Sequence, residues 1–467
     1  MNDGIKLFLD AVGVFFIIYL IGYSTFLFLS VVSGSLELYK NHRQEKLKSI
    51  LPFDYTVPVT VIVPAYNEEI TVTDTVKSLL DLEYRAYEII VVDDGSEDGT
   101  SDSLINEFSM KKVNRPIRRR IACRMETAVY ESRAQKVPLT LIKKQNGGKA
   151  DALNMGINAS NFPYFICIDA DSILQYDSLR KVTEPILKDD SIVAVGGAVN
   201  ISNDVEMENA RVKKYKMPRS ILASMQVLEY DRSFLAARIL FDKFNGSLII
   251  SGAFGLFKKD MVIAAGGYDN KTVGEDMELV VKLHDYCTVN NIDYRIKYAN
   301  DAVCWTQVPE KLDDLCRQRR RWYIGLFQSM TGHKAMLMNS KFGAVSFISY
   351  MYFLVYELLS PFIEVFGVLT ILVAWAADLV NIRFMVLFFL IYAGFGVILS
   401  LTAFFSRAYT DELRISAPDA LKAVFLCLFE LTCLRFILAW VRATALFGSK
   451  SKKMKWGSIK RKKINIK

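Results

Sequence analysis

The run Phe384–Phe405 contains no charged side chain, and this constrains the fold more than any motif does. As a helix it is long enough to cross a hydrocarbon core about 30 Å thick. A second run, Leu7–Leu36, holds one acid, Asp10, and no base. The chain therefore reads as membrane helices flanking a middle of ordinary polarity. The N-terminal run is too long and too apolar for a leader peptide, and no small-residue cleavage site stands out. It is expected to be an anchor.

Two further segments are apolar but interrupted. Phe342–Val380 contains Glu357, Pro361 and Glu364, and Leu421–Phe447 contains Glu430, Arg435 and Arg442. Ionisable groups in such segments face a polar interior or another helix rather than lipid, so a lined passage is expected. The crossings do not count up neatly. Three C-terminal spans would put the basic end of the chain outside, against the positive-inside rule. Either Phe342–Val380 turns back near Pro361, or part of Leu421–Phe447 lies flat at the interface; an inside tail is the expectation.

The formal net charge of +8 suggests nucleic acid but resides in a tail. The end of the chain, "KSKKMKWGSIKRKKINIK", holds nine of the 58 Lys and Arg and no acid, leaving 49 bases against 50 acids. A basic tail beside a membrane lies on anionic lipid headgroups or is simply solvated, so membrane lipids and no nucleic acid are the expected partners. Seven cysteines lack CxxC spacing, and His42, His284 and His333 are far apart. Neither a zinc site nor a disulfide framework is indicated.

Between the apolar segments the pattern changes. "VPVTVIVPAYNEE" and "YEIIVVDDGSEDGT" each run from β-branched residues into polar and glycine-rich ones, and Ile70–Leu82 between them has helical spacing. This predicts a strand–helix–strand unit with ligand-facing ends at Pro64–Glu68 and Asp93–Thr100. The basic stretch Lys111–Lys136 is expected to be an excursion from the sheet. "LTLIKK" then leads through Gly147–Gly148 into a helix, and "YFICIDADS" is a buried strand ending in carboxylates. The fold class is α/β. Expected boundaries are 1–48 for the anchor and a basic linker on the cytoplasmic side, 49–341 for the catalytic domain, 342–447 for membrane helices and 448–467 for a cytoplasmic tail.

Asp93 and Asp94 can contact a base edge and a ribose, help hold a metal, or cap the next helix. Asp169 and Asp171 leave a strand end on the same side, so both can converge on one hard cation that neutralises a diphosphate, or stand solvated in a turn. "GGKADALN" lacks the Walker spacing; two glycines, Lys149 and a helix start either suit an anion or simply open a helix. In "GED", Asp276 and its neighbour either partner the helix macrodipole or supply a general base. "QRRRWYIG" (Gln318–Gly325) either forms an interfacial belt or offers guanidinium to a diphosphate and indole to a sugar face.

The order "DDG", "DAD", "GED", "QRRRW" in one α/β domain followed by membrane helices resembles the membrane-integrated family 2 glycosyltransferases. These include the processive synthases of cellulose, hyaluronan, chitin and poly-N-acetylglucosamine. The resemblance runs from Val57 to the tail and implies a GT-A fold that uses a UDP-sugar with Mg²⁺ or Mn²⁺. By position it implies that Asp94, with Asp93 beside it, contacts the nucleotide, that Asp169 and Asp171 bind UDP and its metal, and that Lys149 lies near the nucleotide. It implies Asp276 as general base, and Gln318, Arg321 and Trp322 as the QxxRW set that holds the diphosphate and the acceptor's terminal sugar.

Two features depart from the family pattern: Gly274 stands where many members have Thr, and the basic insert has no evident counterpart. The expected activity is inverting transfer of a hexose, glucose or N-acetylglucosamine, to a growing β-linked polysaccharide acceptor, coupled to export. The rival within the fold is a single transfer to a membrane lipid. The intact acids argue against a silent scaffold.

Overall fold

The computed structural model describes residues 2–48, 56–132 and 134–447. The strands β1 (Val59–Ala65), β2 (Tyr87–Asp93), β3 (Lys111–Val113), β4 (Glu126–Ser132), β5 (Leu139–Lys144) and β6 (Tyr164–Cys167) come first. They are followed by β7 (Ser172–Leu174), β8 (Ile192–Ile201), β9 (Glu206–Glu208), β10 (Arg211–Lys214), β11 (Gly255–Lys258) and β12 (Arg295–Thr306). All but β9 and β10, which form a separate ribbon, join one sheet ordered β3-β4-β5-β2-β1-β6-β11-β8-β12-β7. Its centre, β5-β2-β1-β6, is parallel.

The central strands read as unbroken apolar runs because helices cover both faces. Along β1, Val61 and Val63 point to one core with Val76, Leu79 and Leu104. Ile62 points to the other, with Leu153, Leu279 and Leu283. Because β1, β2 and β6 run parallel, their carboxyl ends share one edge, which is where open α/β sheets bind ligands.

The basic insert is not an excursion. Its two ends are β3 and β4, which extend the sheet antiparallel from β5. Arg115 explains why: its Nη2 donates to Ala159 O at 2.9 Å, and its Nη1 donates to Thr140 Oγ1 at 3.1 Å and faces Glu131 at 3.3 Å. Charge in a stretch expected to leave the sheet is spent fastening the sheet edge.

Helices long and apolar enough to cross a membrane cover Leu7–Gln44, Ile382–Thr410 and Ala417–Leu446. A bent pair, Val345–Leu358 and Ser360–Ala376, meets at 46°, one residue before Pro361, whose missing N–H interrupts the helical ladder. Ile18, Ile391 and Phe425 stand exposed on these helices, while their ionisable groups turn inward and pair. Arg232 meets Glu430, Arg407 meets Asp231, and Arg435 meets Glu364.

Candidate active site

β6 ends at Cys167, and the turn before β7 presents Asp169 and Asp171 at the sheet's carboxyl edge. Lys149 opens the Lys149–Ala159 helix opposite them, and its Nζ lies 2.6 Å from Asp169 Oδ1 and 3.2 Å from Glu275 Oε1. Burial opposes the Lys149 ammonium, but Asp169 and Glu275 outweigh it and hold its pKa above the ordinary value.

Asp276 lies in the first turn of the Glu275–Val289 helix. Its Oδ2 accepts from the N–H of Gly252 at 3.2 Å and its Oδ1 from its own helix, at Met277 N, at 2.9 Å. Burial, then the neighbouring Glu275, push its pKa up, while Lys149 and the two N–H groups pull the other way without cancelling the rise. The result is a carboxylate that holds a proton more readily than an exposed one.

The Leu312–Gly332 helix carries Gln318, Arg321 and Trp322. It is fixed against Asp276 by two contacts. Gln328 Oε1 accepts from Thr272 Oγ1 at 3.1 Å and Val273 N at 3.0 Å. Gly274 and Gly325 touch backbone to backbone, so a Cβ on Gly274 would fall 2.7 Å from Gly325 Cα. The glycine that departs from the family pattern is therefore required here by packing. Arg319 pairs with Glu229 at 2.7 Å and stacks 4.5 Å over Trp322, which orients the indole. Arg321 makes no ion pair or side-chain hydrogen bond among the described residues, and Gln318 Oε1 is buried without a partner among them. Both face the same space.

Asp169, Asp171, Lys149, Asp276, Gln318, Arg321 and Trp322 all line one cavity of about 1020 Å³. Asp93 and Asp94 do not line it. Asp93 accepts from Ser96 N at 2.8 Å and from the hydroxyl of Ser101. Asp94 is fully buried, paired with Lys144, and accepts from Gly147 N at 3.0 Å and Gly148 N at 2.7 Å. Gly148, at φ +93°, is what lets that loop turn its N–H groups inward. Burial raises the Asp94 pKa, with Lys144 and the loop N–H groups opposing. Lys144 also meets Asp151 at 2.6 Å, and Asp151 holds Arg124 N at 3.1 Å and Asn270 Nδ2 at 3.2 Å. Asp151 thus joins the basic insert, the loop before Lys149 and the loop before Asp276. Sequence reasoning missed Lys144, Asp151, Gly252 and Gln328; only the glycine-rich setting of Lys149 signalled that this loop was special.

Residues 164–447 match the family model described as Glycosyl transferase family group 2, and residues 60–123 match Glycosyl transferase family 2. The poly-beta-1,6-N-acetyl-D-glucosamine synthase of Staphylococcus aureus is 29% identical over 325 residues, covering 69% of this chain and 66% of that protein. The protein of the same name from Staphylococcus epidermidis is 33% identical over 282 residues, covering 60% and 56%. The matched segment thus spans less than two thirds of either relative. A mannosyltransferase from Pyrobaculum calidifontis, solved with GDP-Man and Mn²⁺, superposes with a TM-score of 0.50 at 18% identity over 84% of this chain and 99% of that one. At that identity the likeness is one of fold. Since one family model alone covers more than half of its length, the chain belongs to the family 2 glycosyltransferases.

Proposed function

We propose that the chain transfers a hexose, glucose or N-acetylglucosamine, from a UDP-sugar to a growing β-linked polysaccharide and passes the product between its apolar helices. The observation that carries this reading is the cavity. Asp169 and Asp276 line it at the catalytic end, and Glu364 and Arg435, from the apolar helices, line it at the other. A lipid glycosyltransferase needs a dock for one acceptor; a polymerase needs a continuous polar path.

The acceptor hydroxyl has a pKa far above neutral, so attack needs a placed base, and Asp276 is that base. Its raised pKa strengthens it as a proton acceptor. The acceptor oxygen forms a bond to the sugar's anomeric carbon as the bond from that carbon to UDP breaks. The hydroxyl proton passes to Asp276, and UDP leaves with the electron pair. One displacement inverts the anomeric centre. Arg321, with no carboxylate partner among the described residues, meets the departing diphosphate. Trp322 and Gln318 hold the acceptor's terminal sugar.

Asp169 and Asp171 are hard oxygen donors, and no cluster of three or more His, Cys, Asp or Glu forms among the described residues. Two carboxylates suit Mg²⁺ or Mn²⁺ that completes its shell with diphosphate oxygens and water. When bound, the cation would neutralise charge on the leaving group. Lys149 serves the donor side. Asp93 and Asp94 act through the loops they pin.

The test is nucleotide release from the full chain in nanodiscs with Mg²⁺ or Mn²⁺ and a panel of UDP-sugars, with the product sized. Release from one donor with a high polymer is the expected result, and Asp276→Asn should cost about 10²-fold or more. A single lipid-extractable product, or near wild-type turnover by Asp276→Asn, would overturn the polymerase or the base assignment respectively.

A further inference from the structure

Lys149 is placed against the electrostatics of its own helix. It is the first residue of the Lys149–Ala159 helix, and the positive end of a helix macrodipole disfavours a cation there. Its surroundings reverse that preference. Nζ lies 2.6 Å from Asp169 Oδ1 and 3.2 Å from Glu275 Oε1, and Asp276 adds a further negative charge nearby. Gly252 leaves the room for this arrangement, since a Cβ on it would fall 3.0 Å from Lys149 Nζ. The helix behind the lysine is fixed. Asn154 Nδ2 donates to Tyr268 O at 2.9 Å, and Asn154 Oδ1 accepts from Tyr268 N at 2.9 Å. Any movement of the ammonium is therefore movement of the side chain alone.

Asp169 is one of the two carboxylates read above as ligands for a divalent cation, and the ammonium is paired with it. An ammonium and a dication on one carboxylate repel at close range. A cation arriving alone would gain Asp169 and Asp171 but would strip Lys149, whose side chain is 14% exposed, of its nearest partner. Breaking one arm of a buried ion pair is costly, because the remaining charge is left poorly compensated. A cation arriving with a diphosphate meets a different balance. The phosphate oxygens complete its shell and offer the displaced ammonium new charged acceptors, with Glu275 still beside it.

We propose that Lys149 holds the place of the divalent cation on Asp169, so that the site takes up its cation together with the nucleotide diphosphate and not ahead of it. The claim deepens the proposed function and rests on its assignment of Asp169 and Asp171 to the cation. It is indifferent to which sugar is transferred and to which acceptor. Lys149 thereby sets the order in which the site is loaded, in addition to serving the donor once bound.

The test titrates Mn²⁺ into the full chain in nanodiscs and follows the electron paramagnetic resonance signal of free Mn²⁺, with empty nanodiscs of the same lipids as background. Without nucleotide, the wild type should bind Mn²⁺ about tenfold or more weakly than with UDP present. Lys149→Met removes the competing ammonium and should tighten nucleotide-free binding about tenfold. Lys149→Arg keeps the charge and should leave that binding weak, which guards against a Met variant that fails to fold. Adding Asp169→Asn to Lys149→Met should abolish the gain and so place it at this site. Wild-type binding that is equally tight with and without UDP would overturn the proposal. So would a folded Lys149→Met variant with no gain, or a gain that survives Asp169→Asn. Nucleotide release in the same nanodiscs separates the two claims. Mn²⁺-dependent turnover with cation binding indifferent to UDP and to Lys149→Met sinks only this inference. Failure to take up Mn²⁺ even with UDP sinks both the cation assignment and the inference built on it.

Discussion

At the scale of the residue, Asp276 and Glu275 form the sharpest electrostatic feature of the site. Burial, then the adjacent Glu275 carboxylate, raise the Asp276 pKa, with Lys149 opposing. A base works only when ionised, so turnover should fall as pH drops through a value above the usual Asp range of about 4. Glu275→Gln removes one of the raising influences at little cost in shape, and the acid limb should then move to lower pH. The profile to measure is that of kcat/KM for nucleotide release, which reports the free enzyme. An acid limb that stays in place in Glu275→Gln would mean that another group titrates there. The neighbouring hub of Asp94, Lys144 and Asp151 shows what a residue-level reading cannot see. Lys144 lies 50 positions from its partner Asp94, and no period or spacing relates them; "LTLIKK" looks like a strand with a solvated end. Only the sheet, which sets β5 beside β2, turns that lysine into the counter-ion of a buried carboxylate.

At the scale of the element, the contact between the start of the Glu275–Val289 helix and the Leu312–Gly332 helix decides whether base and acceptor site face each other. Gly274 has an ordinary φ of −118°, so its requirement is spatial rather than conformational. Gly274→Thr restores the residue common in the family, yet here its Cβ would meet Gly325 backbone, which cannot rotate away. Overpacking of this kind costs about 1–3 kcal/mol, and it should also separate Asp276 from Trp322. We expect a lower melting temperature in detergent together with reduced nucleotide release; unchanged values of both would show that the helices tolerate sliding apart. The strands at the centre of the sheet were legible because burial on both faces writes itself as β-branched runs, and the acids at their ends because strands deliver them to one edge. The insert was misread because its strand content is short and its arginines resemble solvated charge until Ala159 O and Thr140 supply their partners. The packing of Gly274 on Gly325 was illegible because one small residue is interpretable only beside the other.

At the scale of the whole molecule, we propose, from the contacts of the apolar helices, a crossing count that the sequence leaves open. The end of the Ile382–Thr410 helix meets the catalytic side: Asp411 accepts from Asn200 Nδ2 at 3.4 Å, and His42, at the same end of the N-terminal helix, faces Glu412 at 3.9 Å. This helix therefore runs toward the catalytic domain, and the bent pair before it must run away and count as one crossing rather than turning back at Pro361. The last segment, Ala417–Leu446, keeps both ends on the catalytic side. Lys422, near its start, donates to Pro218 O. Ala445, at its end, packs with Tyr323, Met330 and Phe342. A helical segment long enough to cross but anchored at both ends to one side lies along the interface, with Trp440 and Phe436 exposed as an interfacial belt would require. The expected basic tail, 448–467, lies outside the described residues; a basic sequence is expected on the catalytic side. A protease-cleavable tag after Lys467 should be cut in inside-out vesicles and protected in right-side-out ones, whereas the same tag inserted between Leu379 and Val380 should show the opposite pattern. Cutting of the tail tag from the outer face would mean that Ala417–Leu446 crosses after all, and with it the ion pairs of Glu430, Arg435 and Arg442 would sit at mid-membrane depth rather than at the mouth of the passage.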